Sequence, residues 1–291
     1  MKSLDGQVIL ITGAAGGIGA ATARKLAASG ARPVLADLDA DALERAAATI
    51  EPVPLTVQID VTDPASCEAA VEATLHRHGR IDAVWANAGI SAFGPVELLD
   101  DATWRRVVEV NLIGAYNIIR AALPSVVGQR GYITMTASWA SFAHSPGHSA
   151  YSASKAGLEA LANSLRSELS YTGTRVGVFH PGWIDTPMVA DKRDHNAAFN
   201  AMFESLPAPL RTLSTPEEIA DHLVVAFERR TPKVVYPKLG WALHLLRPLL
   251  PTRLVTAGAR RVAPDARRLF LIDDARRGPV LGSRCVNPTS G

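Results

Sequence analysis

Tyr151 and Lys155, in the run Tyr151-Ser152-Ala153-Ser154-Lys155, stand four residues apart. In a helix that spacing puts two side chains on one face. A phenol titrates at about pH 10 unaided, and an ammonium beside it favours the ionised form, so the pair is suited to passing a proton at neutral pH. Shortly before Tyr151, Ser138 ends an apolar segment that reads as a strand. A Tyr and a Lys at helical spacing are commonly no more than a surface pair. What makes this one a catalytic candidate is its company.

That company begins near the N-terminus, where Thr12-Gly13-Ala14-Ala15-Gly16-Gly17-Ile18-Gly19 follows the apolar run Val8-Ile9-Leu10-Ile11 and precedes an alanine-rich stretch. A turn tight enough to bring backbone N–H groups onto a pyrophosphate at a helix N-terminus needs residues without a Cβ. The spacing is Gly-x-x-x-Gly-x-Gly rather than Gly-x-Gly-x-x-Gly, and a glycine-rich turn alone also serves as a plain strand-to-helix connection. Asp37 ends the next strand, about 20 residues on, where a carboxylate accepts hydrogen bonds from the ribose hydroxyls of a dinucleotide. Its charge repels a 2′-phosphate. Neither Gly16 nor the following Leu38-Asp39 offers a cation to offset that repulsion, so NAD is favoured over NADP.

Placing these groups together requires a sheet whose strand ends converge. Short β-branched and aliphatic segments alternate with longer helical ones from Gln7 to about Pro237, the rhythm of a parallel sheet with crossover helices. Strands are expected at Val8–Thr12, Pro33–Asp37, Leu55–Ile59, Ile81–Asn87, Gly131–Ala137, Arg175–His180 and Lys233–Tyr236. Asp63-Pro64 and Thr215-Pro216 each place a capping side chain before a proline suited to a first helical turn, and Glu218 completes a capping box with Thr215. The continuous apolar character of the first strand says that helices cover both sheet faces. An α/β doubly wound parallel sheet follows, with ligands gathered at its carboxyl edge. Pro181 to Ser214, rich in Pro, Asn and Met, reads as a long irregular loop, the kind that serves as a lid or binding loop.

With those motifs in place, the chain resembles the short-chain dehydrogenase/reductase family over about Ser3 to Tyr236. Thr12 to Gly19 is similar to its phosphate turn, Asp60-Val61 to its adenine contact, and Asn87-Ala88-Gly89 to the motif ending its fourth strand. Asn111, Ser138, Tyr151 and Lys155 match its catalytic tetrad, and Pro181-Gly182 with Ile184 and Thr186 its nicotinamide-binding segment. The resemblance implies a Rossmann fold in which Gly13, Ala15, Gly16, Gly17, Ile18, Gly19, Asp37 and Leu38 hold the cofactor with those later segments. It implies that Tyr151 exchanges the proton with the substrate oxygen and Ser138 positions that oxygen. Lys155 would bind the nicotinamide ribose and favour the tyrosinate, while Asn111 holds a water linking Lys155 to solvent. Two departures stand out. Ala86 occupies a position where many relatives have a second Asn, and the chain runs on for 54 residues beyond Pro237, where the family often ends soon after this point. That continuation puts the usual tetramer in doubt; a homodimer through the Tyr151 helix is the expectation, with a tetramer as the alternative.

Phe93, Trp139, Phe142, His144, Trp183, Met188 and Phe203 flank the tetrad; aromatic and Met-rich walls suit a lipophilic alcohol or ketone. Ser138, Trp139, His144, Trp183 and Met188 are the substrate candidates, although half of such aromatics serve as core, and for His144 and His148 an ordinary loop role competes. The expected function is an NAD-dependent oxidoreductase interconverting a lipophilic secondary alcohol and its ketone. Its rivals are an NADPH-preferring ketone, lipid or steroid reductase at a membrane surface and a non-catalytic dinucleotide-sensing regulator. A sensor has no use for an intact tetrad.

Composition narrows the classes further. With 291 residues, 47% hydrophobic and 20% charged, the chain reads as one globular domain (1–237) with an appended segment (238–291). The net charge of +2 hides an asymmetry: from Arg229 onward there are 13 Lys+Arg against 3 Asp+Glu, and before it 17 against 25. The appended segment sets Trp241, Leu243, Leu245, Leu246, Leu249 and Leu250 around Arg247, followed by Arg253, Arg260, Arg261, Arg267 and Arg268. Packing over the pocket or a dimer partner is favoured, peripheral contact with an anionic membrane is the alternative, and nucleic acid is disfavoured because no stacking aromatics interleave the arginines. Cys67 and Cys285 lie too far apart for a disulfide framework. His76 and His78 point to different sides of a helix, so no metal site is expected. Met1 to Thr12 has no cleavage site of the secretory kind, and the expected location is the cytoplasm.

Overall fold

In a computed structural model of the chain, residues 3–252, 264–265 and 267–272 are described. Seven parallel strands form one sheet in the order β3-β2-β1-β4-β5-β6-β7: β1 Val8–Thr12, β2 Arg32–Asp37, β3 Leu55–Gln58, β4 Ala83–Ala86, β5 Tyr132–Thr136, β6 Arg175–Pro181 and β7 Lys233–Tyr236. The strand order reverses between β1 and β4, and a crevice opens there at the carboxyl ends. The first strand shows why the sheet is covered twice. Val8 and Leu10 pack into one hydrophobic layer, and Ile9 and Ile11 into the other, the alternation a strand imposes.

Helices α1 (Gly17–Ala28), α2 (Ala40–Ala47) and α9 (Pro216–Arg229) cover the second layer. The first layer is closed by α3 (Pro64–His78), the run α4 (Asp101–Val108) to α5 (Gly114–Gly128), and α6 (Ser149–Glu168). Asp101–Gly128 is long and apolar enough on average to cross a bilayer, but Val107, Ile118, Ile119 and Ala122 are buried in the core. The caps form as expected: Asp63 accepts from Ala65 N at 2.9 Å, and Thr215 and Glu218 bond reciprocally at 3.2 and 2.9 Å.

Two expectations need correction. The fourth strand is shorter than Ile81–Asn87, because Ile81 N donates to Ser125 Oγ and Asn87 N to Thr12 Oγ1, so its ends leave the ladder for side-chain partners. The segment 181–214 is not an irregular loop. It holds α7 (Pro187–His195), α8 (Ala197–Ser205) and a 3₁₀ turn, Ala208–Arg211. Pro187 stands in the first turn of α7 and Asn196 caps α8 by accepting from Phe199 N at 2.7 Å; the residues read as loop formers are helix starts.

Beyond β7 the chain returns to the domain. Helix α10 (Leu239–Leu245) packs beside Trp139 and Phe142, and Arg247 and Lys233 hold the buried Glu159 at 3.0 and 2.8 Å. Phe270 joins Phe93, Phe199 and Phe203 in a separate cluster, and Arg267 pairs with Glu97. Phe93, Phe142 and Phe203 are therefore core. Arg253, Arg260, Arg261 and Cys285 lie outside the described residues, and Cys67 is a buried thiol pushed up to about 12, mainly by desolvation.

Candidate active site

The turn after β1 is held from below by side chains. Thr12 Oγ1 accepts from both Asn87 N and Ala88 N at 3.1 Å, while Asn87 Nδ2 donates to the carbonyls of Thr12 and Gly13 at 3.1 Å. Asn87 Oδ1 is fixed by Thr136 Oγ1 at 3.0 Å, which itself accepts from Trp85 Nε1 at 2.8 Å. The turn is thus stitched across three strands. Gly13 and Gly17 have φ of +67° and +54°, which L side chains adopt only at a cost. A Cβ on Gly13 would stand 2.8 Å from Ala88 Cα. Gly19 does not line the cavity; it lets α1 press against the Gly13 carbonyl.

Asp37 Oδ2 accepts from Ala15 N at 2.9 Å, and Oδ1 from Leu38 N at 2.8 Å. The carboxylate thereby sets the turn and the ribose end of the crevice together. Asp39 lines the same end while capping α2 through Ala42 N at 2.9 Å. Further along, Asp60 Oδ1 accepts from Thr62 N and Oγ1 at 2.9 and 2.7 Å, with Arg106 at 3.7 Å. Burial pushes this carboxyl up, but Thr62 and Arg106 outweigh it and hold it below its ordinary range.

One cavity of about 420 Å³ runs from this end, past Val61 and Asn87-Ala88-Gly89, to the end of β5. Ser138, Tyr151 and Lys155 meet in its floor. Ser138 Oγ accepts from Ala140 N at 3.1 Å and donates to the Pro181 carbonyl at 3.4 Å. Lys155 Nζ lies 5.5 Å from the Tyr151 ring centroid and donates to the Thr136 carbonyl at 2.6 Å. The expected tyrosinate is not favoured by this surrounding: burial raises the phenol, only partly offset by Ser138, and burial lowers the Lys155 ammonium to about 7. Each group moves towards its neutral form because both lose water. Asn111 sits in a π-helical turn, Glu109–Ile113, and does not line the cavity. Its amide grips Ile90 through N (2.7 Å) and O (2.9 Å) and donates to Ser154 Oγ at 3.0 Å. It braces the end of β4 against the helix that carries Tyr151 and Lys155.

Pro181, Gly182, Ile184 and Thr186 line the opposite wall, followed by Trp139, Trp183 and Met188 at the far end. His144 does not belong there. It is exposed, with Nδ1 on the Ala140 carbonyl at 3.0 Å. The histidine in the wall is His148, buried one turn before Tyr151, its ring centroid 6.2 Å from those of Tyr151 and Trp183. Burial, reinforced by the charge of Lys192, lowers it to about 3, so it is neutral. Sequence reading also missed Thr136, Arg106, Lys192, Leu206, Leu210 and Leu243 as wall residues. His148 is three residues from Tyr151 at the start of the same helix, a spacing that signals a shared face; the leucines carry no such signal.

Comparison with known proteins agrees with this geometry. The sequence profile of the family described as short chain dehydrogenase matches residues 7–197. The 3-oxoacyl-[acyl-carrier-protein] reductase of Thermotoga maritima is 34% identical over 75% of this chain and 88% of its own length. The trans-4-hydroxycyclohexanecarboxylate dehydrogenase of Sinomonas cyclohexanicum is 38% identical over 63% of this chain and 74% of its own. Among solved structures, the 3-ketoacyl-(acyl-carrier-protein) reductase of Brucella melitensis complexed with NADH superposes with a TM-score of 0.73 at 29% identity, covering 80% of this chain and 98% of that one.

Proposed function

The chain belongs to the short-chain dehydrogenase family of oxidoreductases, and from that premise we propose that it is an NAD-dependent enzyme interconverting a lipophilic secondary alcohol and its ketone. The observation that carries this reading is the meeting of Ser138, Tyr151 and Lys155 on the floor of the cavity whose other end is the glycine turn. When bound, the dinucleotide supplies the two-electron hydride acceptor or donor. The residues present fit such a group. Gly13 lets the turn press against Ala88, where a Cβ would stand 2.8 Å from Ala88 Cα, Gly16 to Ile18 expose the start of α1, and Asp37 with Leu38 lines the ribose end. Asp60 and Val61 would flank the adenine, with Pro181, Gly182, Ile184 and Thr186 beside the nicotinamide.

The chain's own task is the proton. Ser138 donates to the substrate oxygen and fixes it beside the Tyr151 hydroxyl. Tyr151 takes the hydroxyl proton during oxidation and returns it to the carbonyl oxygen during reduction. Lys155, which burial brings to about 7, stands beside the phenol where it would bind the nicotinamide ribose, and Asn111 positions the helix that carries both. NAD is favoured over NADP because a 2′-phosphate would meet Asp37 and Asp39 together at this end. Trp139, Trp183 and Met188 supply an apolar wall for the substrate body. The named relatives act on 3-oxoacyl and alicyclic hydroxy compounds, each carrying a ketone or secondary hydroxyl.

The test is a parallel titration of NAD and NADP against a panel of aromatic and alicyclic secondary alcohols. Turnover favouring NAD is expected, and Tyr151→Phe should lower kcat by about 10²–10⁴-fold with the KM for NAD unchanged. Full activity in Tyr151→Phe, or a preference for NADP, overturns the corresponding half of the reading.

A further inference from the structure

At the mainly apolar substrate end of the cavity one amine is out of place. Lys192, on α7, is 5% exposed and lines the wall with Trp183, Met188 and His148. Its Nζ lies 6.0 Å from the Phe199 ring centroid, and no hydrogen bond or ion pair is made to it among the described residues. The neighbouring carboxylate, Asp191, attracts Lys192, but its Oδ1 pairs with His195 at 3.3 Å and its buried Oδ2 makes no hydrogen bond among the described residues. The other titratable group facing Lys192 is His148, which burial, reinforced by the Lys192 charge, keeps neutral. A buried ammonium without a counter-ion is unfavourable, and a Met or Leu at this position would pack at no such cost. The attraction of Asp191, made without a direct bond, offsets this only in part.

We infer that the substrate carries a carboxylate, which Lys192 holds at the far end of the cavity while the secondary hydroxyl or ketone lies at Ser138 and Tyr151. This inference rests on the oxidoreductase reading above and names its substrate class. The His148 ring, 6.2 Å from the Tyr151 ring and 5.9 Å from Phe199, stands between the two ends, so the anion and the reacting carbon are separated by an apolar spacer. The anion is small and terminal. A bulky thioester whose phosphates trail into solvent would not bring its charge to a side chain enclosed by Trp183 and Phe199. Desolvation lowers Lys192 to about 7, so an arriving carboxylate draws a proton onto it, as an ion pair favours the charged form.

The experiment compares 3- and 4-hydroxycyclohexanecarboxylates with their methyl esters, using the full chain and NAD. The acids should be preferred, and Lys192→Gln should lower kcat/KM for the acids by about 10- to 100-fold, the range of one lost charged hydrogen bond, while the esters change by less than about 3-fold. Lys192→Arg should restore part of the loss. Calorimetric titration of the acids in buffers of different ionisation enthalpy should show proton uptake that Lys192→Gln removes. No preference for acid over ester, or an equal loss for both in Lys192→Gln, overturns the inference. Acid binding with Lys192-dependent proton uptake but no turnover would leave it standing and remove the oxidoreductase reading instead.

Discussion

At one end of the cavity the walls are main chain; at the other they are side chains. The cofactor end is made by Gly13 to Ile18, Asp60-Val61 and Asn87-Ala88-Gly89, with Thr12, Asn87 and Asp37 bonded to backbone atoms beneath. The substrate end is made by Trp139, His148, Trp183, Met188, Lys192 and Leu243, contributed by separate segments that meet only in the folded chain. A backbone wall fixes residue type, because only certain residues adopt its dihedrals or leave its space. A side-chain wall fixes only volume and polarity, so many residues satisfy it. The two ends should therefore respond differently to substitution.

Gly13→Val is the strongest test of that difference. It forces a β-branched residue into φ +67° and drives a Cβ to 2.8 Å from Ala88 Cα, a backbone atom that cannot swing aside. The combined cost is about 3 kcal/mol or more, and NAD affinity, read by fluorescence titration, should fall at least about 100-fold. Met188→Val at the other end should leave NAD affinity within about 2-fold. If both variants weakened NAD alike, the division between the ends would not hold.

The same difference explains what the sequence made legible. Gly13, Gly16 and Gly17 of the turn, Asp37, Ser138, Tyr151 and Lys155 are legible because each is demanded by backbone geometry or proton chemistry at a set spacing, and all of these line the cavity. His144 was chosen by proximity in sequence to Tyr151, but the chain turns it outward and places His148 in the wall. Helices α7 and α8 escaped notice because Pro187 and Asn196, read as loop residues, act as a first-turn proline and a cap. Leu206, Leu210 and Leu243 gave no warning, since a leucine's partner is decided by tertiary packing alone.

Acid should act on the substrate side and the core behind it rather than on the glycine turn. His148 is lowered to about 3 and His180, whose Nδ1 meets the Ser138 carbonyl at 3.1 Å, to about 4, both chiefly by desolvation. The unfolded chain takes up a proton on each at about pH 6.5 and the folded chain refuses it, so stability is full above that pH and falls as pH drops through it. Between about pH 6.5 and 5 each histidine removes about 1.5 kcal/mol. Urea unfolding across this window should show His148→Gln losing about half as much stability as the parent. An unchanged slope would mean that the His148 ring takes up its proton in the folded state.

A smaller effect is expected at Asp37. Asp37→Ser with Leu38→Arg removes one carboxylate and adds a guanidinium where Asp39 remains, and should shift the NADP-to-NAD ratio of kcat/KM by about 10-fold, or about 1.4 kcal/mol. The substrate preference, set at the far end, should not move. A change in substrate ranking would show that the two ends communicate.

The least effect is expected where the appended segment touches the cavity. Gly240 lets α10 close onto the Trp139 indole and Val235, and this approach places Leu243 in the substrate wall. Leu243→Ala removes partly buried apolar surface, so its cost is below the about 2 kcal/mol of a fully buried leucine truncation. It should change KM for bulky alcohols by about 3-fold, leave that for small ones nearly constant, and leave NAD affinity alone. A sequence that ended at β7 would lack the Leu243 part of this wall, so a uniform response to substrate size would mean that α10 stabilises the fold without shaping selectivity. A graded response would make the residues after Tyr236 part of what this chain selects.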